Sequence, residues 1–515
     1  MLFSSLSFLY FFLPVTLLAV WAARSVKAKN AVLLAASLFF FAWGAPKFAF
    51  VLVAGCLVDY ALSKRIAGRG GARPAQEATQ QAAALPPPPP AAAPSPLRRL
   101  LRRTRSVASD RAAVLCAVGV VLNLALLAYF KYANFAVEQV NILLRVFGGE
   151  GSLVSHVALP LGISFFTFQK ISYLVDVRRG VSEPAESFAK YLLYILLFPQ
   201  LILGPIIRYH DIERQFDDRT VTPEDFHSGF WRFSLGLARK MLIAGPLATV
   251  ADTVFSAGAG DLSAPVAWIG IVAYTFQIYF DFAGYSDMAV GIGRMLGFRF
   301  PENFNAPYVS RDMAEFWRRW HITLGGFMKE YLYIPLGGNR CSKPRALFNN
   351  WLVFLCSGFW HGASWNFVIW GAWHGFWITV AKLLGGGKKK DGKFAFRSLP
   401  AVAATFLLVM LGWVFFRMEH FGDAVRFIRT LFSFAPAQTG FALSVTPQQK
   451  CAFAVAAVAA FVPVVFPKAG MIEWRIEGTR PGEVLLRAFL SLMLVGLSTM
   501  PLLLGGFNPF IYFKF

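Results

Sequence analysis

Residues Ala346–Ala381 run for 36 positions without a formally charged side chain, and a run of that kind leaves a chain few options. A span of about 20 apolar residues crosses a bilayer as a helix. The stretch is long enough for two short helices or one bent pair. Comparable runs are Met1–Ala23, Asn30–Pro46, Phe48–Val58 (continuing to about Ser63), Ala112–Phe130, Leu153–Gln169, Tyr191–Ile207, Leu262–Phe280, Ser398–Phe416, Cys451–Pro467 and Ala488–Phe513. With ambiguous segments near Met241–Ala251, the pattern predicts an all-α polytopic membrane protein with about 10–13 membrane-embedded helices. Composition agrees: 56% of the residues are hydrophobic and 15% charged, with mean hydropathy +0.52, against roughly 25% charged in a soluble domain. A soluble enzyme, a disordered tail protein and a disulfide-stapled secreted domain are excluded. Met1–Ala23 has no basic segment before it and no clear cleavage site after it, so it reads as a first transmembrane helix and not a signal peptide. No internal repeat of the transporter kind is visible.

The 50 Lys and Arg against 28 Asp and Glu give a net charge of +22. In a chain this apolar, the excess reads as cationic loops on the cytoplasmic face beside anionic lipid, and no nucleic acid is expected as a partner. Arg24, Lys27 and Lys29 follow the first span, and Lys64, Arg65 and Arg69 follow the third. Two spans separate the clusters, so both can be cytoplasmic with the N-terminus outside. Three segments result: N-terminal transmembrane helices at 1–65, a Pro/Ala/Arg-rich cytoplasmic linker at 66–110, and a membrane core at 111–515. The linker holds Pro86–Pro90 and the cluster Arg98, Arg99, Arg102, Arg103 and Arg105. It is expected to be extended, unpacked and in contact with anionic lipid. The five cysteines (Cys56, Cys116, Cys341, Cys356, Cys451) form no C-x-x-C pair. They read as small packed hydrophobes, and no metal site is expected.

Chemistry is sought where polar groups interrupt apolar text, because such groups are costly in a membrane. Asp281–Arg345 is rich in charge, Pro, Gly and aromatic residues, yet lies between two strong spans. It predicts partly buried re-entrant or interfacial helices. Of seven histidines, His361 and His374 lie inside the uncharged 36-residue run. On one continuous helix, Ser357, His361 and Ser364 share a face, with Asn366 close by. That face either lines a cavity, where a neutral imidazole serves as general base, or bonds neighbouring helices. His374, 13 residues further, points away from His361 on an unbroken helix and reads as structural. Arg318 and Arg319 precede His321 in Phe316-Trp-Arg-Arg-Trp-His321. They form either a cationic pocket for an anionic donor such as a CoA phosphate, aided by the neighbouring aromatic faces, or an interfacial belt with basic anchors. Gln277, Asp281 and Tyr285 recur at i, i+4 spacing, with Asp287 following, and either hold helices together or line a tunnel. His156, His210, His227 and His420 carry no signal beyond loop or interface placement. No G-x-S-x-G, H-E-x-x-H or P-loop motif is present.

Longer blocks carry more. LPLGISFFTFQKISYLVDVRRG (Leu159–Gly180), FPQLILGPIIRYHDI (Phe198–Ile212), QIYFDFAGYSDMAVGIGRMLGFRFPENFNAPY (Gln277–Tyr308), EFWRRWHITL (Glu315–Leu324), EYLYIPLGGNR (Glu330–Arg340), SGFWHGASWNFVIWGAWHG (Ser357–Gly375) and the ending NPFIYFKF resemble the membrane-bound O-acyltransferase superfamily, in its bacterial alginate O-acetyltransferase branch. The resemblance covers most of the chain outside 66–110. It implies acyl transfer through a membrane-embedded tunnel, with His361 as catalytic base and His321 as second active-site residue. It further implies acetyl-CoA as cytosolic donor with no permanently bound cofactor, an exported polysaccharide as acceptor, an extracytoplasmic serine acyltransferase as partner, and the bacterial inner membrane as location. Peptidoglycan, teichoic acid and cellulose are alternative acceptors. A carrier or channel for polysaccharide or lipid intermediates is the competing reading.

Overall fold

The computed structural model describes residues 1–67, 96–149, 151, 153–154, 157–258, 261–384, 398–433, 441–466 and 481–504. These residues are helical or irregular, with no strand among them. Eight helices are long and apolar enough to cross a membrane, and the shorter apolar helix Phe8–Ala22 adds to them. Side chains such as Phe50 (81% exposed) and Val121 (62% exposed) face outward from these spans, which only a hydrocarbon solvent makes favourable. The chain is a multi-pass membrane protein. His156 and the ending NPFIYFKF lie outside the described residues, as does most of the 66–110 linker.

The chain forms two compact units. The first is built on α1 (Val26–Gly44), α2 (Pro46–Ala67), α3 (Pro96–Val146), α4 (Ile163–Arg179) and α5 (Phe188–Leu196). Local chemistry sets the ends. The Ser25 and Ser187 hydroxyls accept the N–H groups of Ala28 and Lys190 at the starts of α1 and α5. Gly180, at φ 72°, closes α4 after Arg178 and Arg179. Helix α3 begins at Pro96, so the last third of the linker is helical where an extended segment was expected. Buried polar groups tie the unit together. Lys170 meets Asp59 at 3.0 Å with both side chains 2% exposed, and Asn123 donates to the same carboxylate at 2.9 Å. Tyr173 donates to Ser63 at 3.0 Å.

At the edge of this unit, outside its spans, His210 places Nδ1 2.9 Å from Asp176. That hydrogen bond is the main cause holding His210 above the ordinary histidine range, against burial, which works the other way. A raised folded pKa stabilises fully below the unfolded value of about 6.5, and the stabilisation is lost as pH rises through the folded value. The thermal midpoint of the detergent-solubilised chain is therefore expected to fall from mildly acidic to mildly alkaline pH. His210→Gln should flatten that component. A variant with the wild-type pH dependence would remove the assignment.

The second unit contains α6 (Pro223–Ala238), α7 (Gly245–Ser256), α8 (Ala264–Met295), α9 (Met313–Arg319), α10 (Ile322–Phe327), α11 (Lys343–His361), α12 (Trp365–Leu383), α13 (Leu399–Arg417), α14 (Phe421–Leu431), α15 (Pro447–Val465) and α16 (Pro481–Leu503). Thr222 and Asp225 form a capping box with Pro223 at the first position of α6. Helices α6 and α8 pack backbone to backbone. A Cβ on Gly236 would lie 2.5 Å from the Gly284 carbonyl oxygen, and one on Gly229 would lie 2.7 Å from that of Gly291. The order of these pairs makes the helices antiparallel. Their closeness sets Arg232 of α6, and Arg239 and Lys240 in the wide turn Arg239–Ala244 that continues it, against acids of α8: Arg232 and Arg239 against Asp287, and Lys240 against Asp281.

The uncharged run Ala346–Ala381 is two helices, α11 and α12, separated by Gly362–Ser364. Asp281–Arg345 completes α8 and then gives the 3-10 turn Pro307–Val309, the short helices α9 and α10, and a wide turn at Met328–Tyr333. Partly buried, re-entrant or interfacial helices were expected there, and the helices are short. Cys56 and Cys116 are buried, as expected of small packed hydrophobes, whereas Cys356 and Cys451 lie on exposed helix faces.

Candidate functional site

The site lies in the second unit and is built around imidazoles. His361 is the last residue of α11, 5% exposed. Its Nδ1 lies 2.6 Å from the carbonyl oxygen of Ser357. A carbonyl only accepts, so Nδ1 carries the hydrogen and, in the neutral ring, Nε2 carries the lone pair. Trp360, Trp370 and Phe416 pack edge-on around the ring at 4.9, 4.8 and 5.5 Å between centroids.

His321 caps α10 with φ 45°, a left-handed conformation that costs a residue with a side chain about 1–2 kcal/mol. It is 1% exposed. Its Nδ1 lies 3.0 Å from Asn303 Oδ1, which also accepts from the Thr323 N–H and hydroxyl. Because the Thr323 N–H can only donate, that Asn303 atom is the oxygen. His321 Nδ1 is therefore a donor too, and its Nε2 is buried with no hydrogen-bond partner among the described residues. Both histidines thus hold the same tautomer, fixed by acceptors from different parts of the chain. An aromatic wall joins them: Phe282, edge-on to His321 at 4.7 Å, then Phe304, Trp320, Trp413 and Phe416, which touches His361. His361 lies within electrostatic reach of both His321 and His374.

His374 corrects the sequence reading. The helix it was placed on is broken, so its direction relative to His361 is reset. Its fully buried ring lies 4.9 Å from Trp370, the indole that also packs on His361, and 5.0 Å from Trp317. Neither ring nitrogen has a hydrogen-bond partner among the described residues. The same break separates Ser364 from the face of Ser357 and His361. Ser364 caps α12, and the Asn366 side chain donates to the Met418 carbonyl at 2.6 Å. These two residues fasten α12 to the end of α13. Ser357 stays beside His361 and supplies its carbonyl.

The two arginines part company. Arg319 pairs with Glu315 at 2.9 Å, one turn back, and Arg311 pairs with the same carboxylate. Arg318 is exposed, with no ion pair among the described residues. Neither makes a cation–π contact among the described residues. On α8, Gln277, Asp281 and Tyr285 do share a buried face. Asp281 is paired to Lys240, and Tyr285 stacks on Phe3 at 4.6 Å. Gln277 keeps Oε1 buried with no partner among the described residues. Sequence reasoning missed Asn303. Its contacts to His321 span 18 positions, and nothing local marks it.

An all-helical, multi-pass membrane protein with paired tautomer-fixed imidazoles in an aromatic interior has the makings of a membrane enzyme for group transfer. Residues 152–416 match the membrane-bound O-acyltransferase (MBOAT) family, and the chain belongs to that family. It is 37% identical to a protein of Pseudomonas putida described as a probable alginate O-acetylase, AlgI, over the whole of both chains. It is 35% identical to the peptidoglycan O-acetyltransferase of Helicobacter pylori, covering 83% of this chain and 79% of that one. It is 27% identical to the teichoic acid D-alanyltransferase of Bacillus subtilis, over 51% and 69% of the two chains. The protein is a membrane-bound O-acyltransferase.

Proposed function

We propose that this O-acyltransferase takes an acetyl group from cytoplasmic acetyl-CoA and delivers it across the bacterial inner membrane for O-acetylation of an exported polysaccharide of the alginate type. His361 is the base. The observation that carries this reading is its Nδ1–H bond to the Ser357 carbonyl, which leaves Nε2 to accept a proton. A hydroxyl oxygen attacks the thioester carbonyl carbon, so a C–O bond forms and the C–S bond breaks. The hydroxyl proton passes to His361 Nε2 and then to the leaving thiolate. His321 serves as the second active-site imidazole, and Arg318, unpaired among the described residues, meets a phosphate of the donor. The chain has no serine-nucleophile motif of the G-x-S-x-G type, which suits a relay in which an extracytoplasmic serine acyltransferase carries the group onward to the sugar. Identity along the full length of the P. putida protein favours alginate over the peptidoglycan named for the H. pylori protein.

A strain lacking this chain tests the proposal. It is expected to make and export its polysaccharide at wild-type yield without O-acetyl esters, and the wild-type gene should restore them. Loss of export itself would favour the carrier reading. Loss of acetyl from peptidoglycan, with an unchanged exopolysaccharide, would move the acceptor to the cell wall.

A further inference from the structure

We propose that Asn303 is the positioning residue of this active site, setting His321 in one tautomer and one strained backbone conformation so that its Nε2 meets the reacting groups. The inference rests on the acyl-transfer reading only for what His321 does once it is set.

Asn303 lies in the irregular segment between α8 and α9, 1% exposed. Its side-chain oxygen accepts three hydrogen bonds: from His321 Nδ1 at 3.0 Å, from the Thr323 N–H at 3.3 Å and from the Thr323 hydroxyl at 2.9 Å. Its backbone carbonyl accepts a fourth, from the Ile322 N–H at 2.9 Å. Two positions on, the Asn305 N–H donates to the Arg319 carbonyl at 2.9 Å. The segment 303–305 therefore brackets His321 on both sides, from 319 to 323. His321 sits at φ 45°, and a left-handed residue with a side chain persists only where its surroundings over-determine it. These bonds are that over-determination. An imidazole whose Nδ1 is engaged by a fixed acceptor has its tautomer chosen for it.

A second observation says the arrangement serves more than packing. The Nδ2 of Asn303 and the Nε2 of His321 are both buried with no partner among the described residues. Buried polar atoms are nearly always satisfied, and exceptions call for an explanation. Here the two belong to groups already bonded to each other, one an N–H donor and the other, in the neutral ring, a lone-pair acceptor. A visiting hydroxyl can donate to that Nε2 and a visiting carbonyl can accept from that Nδ2, while a purely structural asparagine would have spent both its ends on protein.

The experiment uses the full-length chain carrying isotope-labelled histidine in detergent. His321 ring signals are identified by their loss in His321→Ala. Wild type is expected to show His321 with the hydrogen on Nδ1. Asn303→Leu, which keeps bulk and loses the acceptor, should release that tautomer and lower O-acetylation of the exported polymer by about a hundredfold. Asn303→Asp, which keeps an acceptor oxygen, should hold the Nδ1-protonated form and recover transfer about tenfold over the leucine variant. The proposal is overturned if Asn303→Leu keeps both the wild-type ring signals and wild-type acetylation. It is equally overturned if the aspartate variant does no better than leucine on both readouts. The tautomer is read with no acyl donor present. A failure of the functional reading would therefore show as unchanged acetylation in the deletion strain and leave the ring signals untouched.

Discussion

Replacing His361 with alanine is expected to lower acetyl transfer by about 10²–10⁴-fold while the chain still inserts and accumulates in the membrane. The size follows from what is removed. Proton acceptance by Nε2 is lost, whereas the Ser357 carbonyl that held Nδ1 keeps its place as a last-turn helix acceptor. The aromatic neighbours Trp370 and Phe416 also pack on Trp413 and on each other, so the wall does not depend on the imidazole alone. His361→Gln sharpens the test, because an amide can donate to Ser357 yet offers no basic nitrogen. Both variants should be equally inactive. Ester content of the exported polymer, measured after mild alkaline release, gives the activity, and an immunoblot of membranes gives the amount of protein. Wild-type ester content in either variant, at wild-type protein level, would take the base assignment away from this residue.

The spans and the burial of both histidines named in the sequence were legible because each rests on local text. Long apolar runs announce the crossings, whereas the capping box of Thr222 and Asp225 at the start of α6 and Gly180 at the end of α4 are equally local and were passed over. What failed did so through phase. Three residues, Gly362–Ser364, end α11 and start α12, and every inference that carried a 100° step across them was reset. Ser364 left the face of His361, and His374 returned to its neighbourhood. Close approach of α11 and α12 at Gly358 and Gly371, where a Cβ on either would run into the carbonyl of Phe367 or Phe354, keeps that pairing tight. The fate of Arg319 was readable and missed, since Arg311, Glu315 and Arg319 form an i, i+4 ladder. Asn303 was not readable, because only the folded chain brings 303 to 321.

The second large effect is expected at the other polar stripe. Lys240→Met alone should take the lysine from the buried Asp281 and destabilise the chain by about 3–5 kcal/mol, as breaking a buried pair from one side does. Asp281→Leu alone should do the same from the other side. The double variant, with a methionine facing a leucine, should return the thermal midpoint close to wild type, because exchanging a whole buried pair for packed apolar groups is near neutral. Lys240 and Asp281 also stand next to the Gly236–Gly284 contact, so their pairing acts where α6 and α8 are closest. If Asp281 is there to join these helices, the double variant also acetylates polymer within a few-fold of wild type. If it folds like wild type and transfers nothing, Asp281 belongs to the path of the acyl group and its ion pair is the resting state of a working carboxylate. Midpoint and ester content together separate these outcomes, since the midpoint alone reads the joint and ester content at equal midpoint reads the path.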